Sequence, residues 1–252
     1  MGSSNFWQYI GHNETSENGF GLFTKAHFTW LLVLAVLIAA FVFFYYKGSE
    51  RRRDNMRKCM ALFLICIEIF KQCVDSLNGL PAGIYLPLEI CSFAEYAIMI
   101  DALWPRLGVT KQLLAYAFLP AAFIALVMPS ATMYPAISFY AMHQLIMHAG
   151  IMAYGLARFR AGEIHPVYKG VWISVLIIGG IMIPVYRLNT IFNQNYMFVS
   201  DPGNNIILRA IWNLSGANGG LPYVISLTIV VTIVMHITYG LYMLIVGRSR
   251  NR

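Results

Sequence analysis

The sequence predicts an all-α, polytopic membrane protein of seven transmembrane helices, with its N-terminus outside and its C-terminus inside. Three observations carry this prediction. The 252 residues are 58% hydrophobic and only 12% charged, about half the roughly 25% charge of an ordinary soluble domain. Mean hydropathy is +0.61. Seven apolar runs reach or approach the roughly 20 residues needed to cross hydrocarbon. They lie near 28–46, 59–77, 83–104, 112–128, 136–157, 171–192 and 222–246.

Orientation follows from Lys and Arg, which favour the inner side. Lys47, Arg51, Arg52, Arg53, Arg57 and Lys58 follow the first run, and Arg106 and Lys111 the third. Arg158, Arg160 and Lys169 follow the fifth; Arg248, Arg250 and Arg252 end the chain. These are fourteen of the eighteen basic residues, which leaves Lys25, Lys71, Arg187 and Arg209 elsewhere. The net charge of +7 is thus a topology signal, and nucleic acid is not expected as a partner. The implied layout is an extracytoplasmic segment 1–27, a membrane domain 28–247 and a basic tail 248–252. In a bacterium the membrane would be the plasma membrane.

The first run follows a polar, glycine-bearing stretch without the charged and apolar regions of a cleavable signal, so this span is expected to act as the insertion signal. MGSSNF fails the myristoylation pattern because Phe6 stands where Ser or Thr is needed. His27 opens the span with its role open. NET (13–15) and NLS (213–215) match the glycosylation pattern, which is short enough to arise by chance.

The second run carries Glu68, Lys71 and Asp75 at spacings of three and four, hence on one helical face. The first reading is an internal ion pair that fixes helix packing; the other is a proton or ion path. Cys59, Cys66, Cys73 and Cys91 fall in or beside spans, read as small apolar fillers, and no disulfide framework or metal-type spacing is expected.

The third run opens LPLEICSFAEY. Cys91 and Glu95, four apart, share a stripe; Glu89 lies nearer the outer end, and Asp101 close enough to the inner surface to reach headgroups. The fifth run, ISFYAMHQLIMHAG, holds His143, Gln144 and His148. Counting from the inner boundary at ~1.5 Å per residue, Cys91 sits about 20 Å up, His148 about 15 Å and His143 about 22 Å. A thiol and an imidazole at one level are the parts of nucleophilic catalysis, although an intramembrane His is more commonly a packed hydrogen-bonding residue. Glu95 could orient the imidazole or be protonated in an apolar site.

The sixth run ends YRLNTIFNQNYMFVSDP. Arg187, Asn189, Asn193 and Asn195 either satisfy a helix terminus or anchor a phosphate or ester carbonyl. His236 in the seventh run reads as structural. That run has no Lys, which excludes a retinal Schiff base, and the inner end of the third, IDALWPRLG, has no receptor signature. An odd span number argues against two equal transporter halves.

FTKAHF, LPLEICS, YP…MHQLIMHAG and N-x5-NYMF, in this order and with this layout, resemble the YwaF / transmembrane protein 164 family over most of the chain from about residue 20. The resemblance implies a lipid acyltransferase that moves a fatty acyl chain between phospholipids, with Cys91 as nucleophile and His148 as the matching histidine. The family often has His where this chain has Glu89. On this reading Cys91 forms an acyl-thioester and His148 acts as base, then acid. Arg187, Asn189 and Asn195 hold the headgroup or oxyanion, with Glu95 and His143 beside the substrate. The partner is a membrane lipid, and no cofactor or metal is called for. The alternative is a transporter or lipid-binding protein that uses Glu68, Lys71, Asp75, Glu95 and the histidines; a third is a membrane scaffold.

Overall fold

The structure is a computed structural model that describes residues 6–10, 19–203, 205–216 and 220–250. The MGSSN start, the NET sequon and Arg252 lie outside the described residues. Among the described residues the regular structure is helical, with no strand.

Helix α1, Lys25–Tyr46, starts at Thr24, whose side chain accepts from the His27 amide and so satisfies one of the orphan donors of the first turn. Most of α1 is exposed, as a lipid-facing helix should be; its inner face packs Trp30, Leu31, Leu34 and Ile38 against the fifth span. His27 is fully buried. Its Nε2 lies 3.0 Å from the Leu126 carbonyl, and its Nδ1 accepts from the Phe23 amide at 3.1 Å. The open question about His27 resolves as a brace between chain segments.

Helix α2, Glu50–Leu77, is capped by Ser49. It is longer than its predicted span because Arg51 to Lys58, read as loop, form its first turns. Asp54 holds them in register by pairing with Arg57 at 2.9 Å and Lys58 at 2.7 Å. A short helix α3, Ala82–Tyr85, precedes α4, Ile90–Leu103. The predicted continuous run 83–104 is therefore broken at Leu86–Glu89. Pro87 is the reason: a residue before proline is driven out of the helical region, and Leu86 is extended at φ −61°, ψ 132°.

Helix α5, Gly108–Leu113, runs through a π-helical turn, Leu114–Phe118, into α6, Leu119–Val127. The turn has a local cause. Pro120 has no N–H for the Tyr116 carbonyl, and its ring would crowd that carbonyl in a regular helix. The widened turn instead bonds the Leu119 amide to the Leu114 carbonyl.

Helix α7, Phe139–Arg160, is the most buried and touches α1, α2, α4 and α6. Small residues let its neighbours approach, as membrane helices require when no water drives them together. A Cβ on Gly150 would lie 2.7 Å from Leu64 Cδ2, and one on Gly155 2.7 Å from Leu119 Cδ2. Helix α8, Tyr168–Phe192, ends on Asn193 in the left-handed region, φ 52°. Beyond it the sequence suggests only loop, yet α9, Ile206–Leu214, forms there. Its cap is Asn205, which accepts from the amides of Ile207 and Leu208 at 3.0 and 3.2 Å. Helix α10, Gly220–Arg250, packs on α8. His236 donates from Nδ1 to the Thr232 carbonyl at 2.8 Å and stacks edge-on to Trp172, the expected structural role.

Four helical stretches, Lys25–Tyr46, Gly108–Met133, Tyr168–Phe192 and Gly220–Ile245, are long and apolar enough to cross a membrane. The protein is a multi-pass membrane protein. The other predicted spans fall on α2, α4 and α7, which depart from that pattern for visible reasons. Helix α2 carries Glu68, Lys71 and Asp75. Helix α4 has 14 residues, or about 21 Å at 1.5 Å each. Helix α7 mixes His143, Gln144 and His148 with apolar residues.

Candidate functional site

Cys91 lies in the first turn of α4, half-buried, and His148 midway along α7, buried. Both line one cavity of about 40 Å³. Its wall is otherwise apolar: Ile90 and Ala94 from α4, Phe118, Ala121, Ala122 and Ala125 from the π turn and α6, and Ile151 from α7. That is space for about one water molecule, whose share of liquid is ≈ 30 Å³.

The tautomer of His148 follows from one contact. Its Nδ1 is 2.7 Å from the Gln144 carbonyl. A carbonyl only accepts, so Nδ1 carries the proton and Nε2 keeps its lone pair. The same bond fixes the ring plane. A proton acceptor and a thiol thus border the same apolar space.

Glu95 follows Cys91 by one helical turn. It is fully buried, and neither carboxylate oxygen has a hydrogen-bond partner among the described residues. A buried polar group without a partner is expensive, so such groups are few and functional roles are common among them. Glu68 Oε1 of α2 also lacks a hydrogen bond, although Lys71 Nζ stands 3.7 Å from it.

The α2 triad is built as the spacing predicts. Lys71 Nζ lies 3.7 Å from Glu68 and 3.5 Å from Asp75. Asp75 accepts the Tyr140 hydroxyl at 2.6 Å, and Tyr140 accepts from Asn78 at 3.2 Å. His143 joins this group, because its Nε2 is 3.5 Å from Glu68 Oε2, without hydrogen-bond alignment. His143 therefore faces the α2 triad and does not line the cavity with Cys91.

The polar end of α8 forms a braced loop. Asn189 donates to the Tyr196 carbonyl at 3.1 Å and the Ser200 hydroxyl at 3.0 Å. Its Oδ1 accepts from the Tyr196 amide at 2.8 Å. Asn195 donates to the Asp201 carbonyl at 2.8 Å and accepts from the Ser200 and Asp201 amides. Both asparagine amides are engaged within the loop. Arg187 is exposed, with no ion pair among the described residues. None of the three lines the cavity.

Glu89 connects this loop to the site. It stands at the N-cap position of α4 without a side-chain bond to that helix, and its Oε2 instead accepts from the Met197 amide at 2.8 Å. Met197 and Phe198 sit at φ 56° and 53°, left-handed values that are uncommon for residues other than glycine. The carboxylate that replaces the expected histidine is thus a clamp two residues before Cys91. The charge of Glu89 was visible in the sequence, but its partner, over a hundred residues away, was not.

Asp101, within reach of the headgroups on the sequence reading, is fully buried. Arg158 donates to its carboxylate, Tyr154 donates at 2.6 Å and Thr110 at 2.9 Å. Arg158 also reaches Glu163 at 2.9 Å, where Tyr45 donates at 2.7 Å. This network ties α1, α4, α5 and α7 together at the end opposite the braced loop. Among the described residues no three His, Cys, Asp or Glu converge to hold a metal ion.

No curated protein and no solved structure matches the chain. A family model described as the TMEM164 family matches residues 22–240.

Proposed function

The chain belongs to the TMEM164 family, and from that premise we propose that it is an integral membrane acyltransferase working through a Cys91 thioester. The observation that carries the proposal is the shared cavity: Cys91 and His148 border one apolar space, and His148 has its Nδ1 occupied by Gln144. A base and a nucleophile held at one space, with the base oriented by a third group, are the minimal parts of covalent acyl transfer.

In the first half-reaction His148 Nε2 takes the thiol proton, and Cys91 Sγ attacks the ester carbonyl of a phospholipid or glycolipid. The carbon–oxygen bond breaks, and the His148 proton passes to the departing lysolipid alkoxide. In the second half His148 takes the proton of an acceptor hydroxyl. That oxygen attacks the thioester, the carbon–sulfur bond breaks, and the thiolate recovers the proton. A cavity of about 40 Å³ admits the reacting atoms and not a lipid, so α4 must part from α6 for an ester to enter; such opening steps are common in enzymes that exclude water. Exposed Arg187 is the group we assign to a lipid phosphate. Asn189 and Asn195 would serve the substrate through the loop they brace.

The same proposal takes α1, α2, α4, the α5–α6 segment, α7, α8 and α10 as seven spans, N-terminus outside. The support is the grouping of fourteen basic residues at the helix ends and connections of one side and in the C-terminal tail.

The test is intact-protein mass spectrometry after incubation with an acyl-labelled phospholipid. We expect an adduct that hydroxylamine removes, absent from Cys91→Ala and trapped or slowed in His148→Ala. Lipid returned unchanged, with no adduct in any variant, would sink covalent catalysis. The unpartnered oxygens of Glu95 favour one competing reading, a proton or solute path past the α2 triad. On that reading Cys91→Ala keeps function and Glu95→Gln loses it.

A further inference from the structure

Helices α1 and α2 leave between them a groove of about 320 Å³, apart from the Cys91 cavity and on different helices. One face of α2 lines it at spacings of three and four: Arg52, Asn55, Met56, Cys59, Met60 and Phe63. Phe41 of α1 closes the far wall. The groove is therefore apolar from Met56 to Phe63, with the Arg52 guanidinium and the Asn55 amide at one end. From Arg52 to Phe63 is eleven residues, about 16 Å of helix, which matches most of an extended acyl chain.

Arg52 is exposed, lies over the Phe44 ring at 5.6 Å and has no ion pair among the described residues. Its surroundings reinforce the charge, because six basic residues stand against two acidic ones between Lys47 and Lys58. One of those acids, Asp54, is already paired with Arg57 and Lys58. Membrane-surface cations of this kind attract anionic lipids, and arginine matches phosphate geometry better than lysine does.

We propose that this groove is a binding site for one anionic glycerophospholipid of the surrounding leaflet, its phosphate on Arg52 and one acyl chain laid along Met56, Cys59, Met60 and Phe63. The charge at one end and the apolar bed behind it select a molecule that is anionic at one end and hydrocarbon behind. A zwitterionic lipid offers the chain without the net charge, and free phosphate offers the charge without the chain.

Cys59 inside the groove is the reporter, and Cys66 and Cys73, exposed further along the same helix, are references. The full-length protein is placed in nanodiscs of phosphatidylcholine with or without phosphatidylglycerol, and N-ethylmaleimide labelling of each cysteine is followed by mass spectrometry. Occupancy should slow Cys59 by about tenfold at roughly ten times the dissociation constant, with Cys66 and Cys73 unchanged. Arg52→Gln should abolish the protection and Arg51→Gln should preserve it, while both keep the parent melting temperature. Each of the other outcomes overturns the proposal. Equal loss in both variants means diffuse surface charge, and protection in phosphatidylcholine alone means no selection for the headgroup. Protection by inorganic phosphate means an anion site without a lipid. Protection that follows the protein-to-lipid ratio means a second copy of the chain covers the groove. No protection under any condition means the groove is unused.

Discussion

Arg158 of α7 donates a hydrogen bond to the buried carboxylate of Asp101 on α4, and the two residues are 57 positions apart in the chain. Breaking a buried pair by removing one partner typically costs about 3–5 kcal/mol because the other charge is stranded. Asp101→Asn should therefore lower the melting temperature in detergent sharply. The double variant Asp101→Leu with Arg158→Met should recover much of that loss, since it strands no buried charge; Thr110 keeps the Leu107 carbonyl, and only the Tyr154 hydroxyl loses its acceptor. A single variant no less stable than the double would refute this account.

The Glu89 clamp makes a more specific demand. Glu89→Leu removes the acceptor of the part-buried Met197 amide, at a cost toward the low end of the roughly 1–3 kcal/mol of an unsatisfied buried donor. Limited proteolysis should then cut between 193 and 205 faster than in the parent protein. Glu89→His should restore resistance, because a neutral imidazole has one accepting nitrogen. Equal cutting of the two variants would mean that the amide bond is incidental.

Gly150 tests the packing of α7 on α2. Adding a methyl there places carbon 2.7 Å from Leu64, and Leu64 is fully buried. Overpacking of this kind costs about 1–3 kcal/mol. Gly150→Ala alone should be destabilised, while Gly150→Ala with Leu64→Val should be more stable than the two single effects added, by a coupling of about 0.5–3 kcal/mol. Strict additivity would show that the contact is slack.

The two counts of spans differ in parity, which gives a clean measurement. Seven crossings put the termini on opposite sides, and four put them on the same side. Reporter fusions at each end, one active only outside and one only inside, should show the N-terminal fusion outside and the C-terminal fusion inside. Termini on one side would exclude the seven-span arrangement.

The helices were legible because apolar runs of span length and the breakers between them are local signals. The break at Pro87 was equally available, since proline restricts its neighbour, yet the apolar run masked it. Helix α9 was hidden by its polar flanks, although Asn205 before an apolar stretch is a cap signal. Within the site, depth counting brought Cys91 and His148 to one level, and the cavity they share agrees with it. Depth says nothing of azimuth, so it could not separate His148, which faces Cys91's cavity, from His143, which faces Glu68. Contacts such as Glu89 with Met197, 108 positions apart, or Arg158 with Asp101, have no trace in spacing. The asparagines of the α8 end could be read two ways because a side-chain amide that braces a loop and one that binds a ligand look identical in sequence.

The π-helical turn before α6 has a consequence for length. It accommodates one residue more than regular winding would, and the surplus sets the azimuth of everything after it. Winding the same residues at ordinary pitch would swing the following face through about 100°. Ala121, Ala122 and Ala125 would leave the wall beside Cys91 although every one of them was still present. A segment one residue shorter in 114–118 would bring the same face to the wall by ordinary winding. Pro120→Ala, which lets regular winding return, should therefore disturb that wall more than Pro120→Ala made together with the loss of one residue from 114–118.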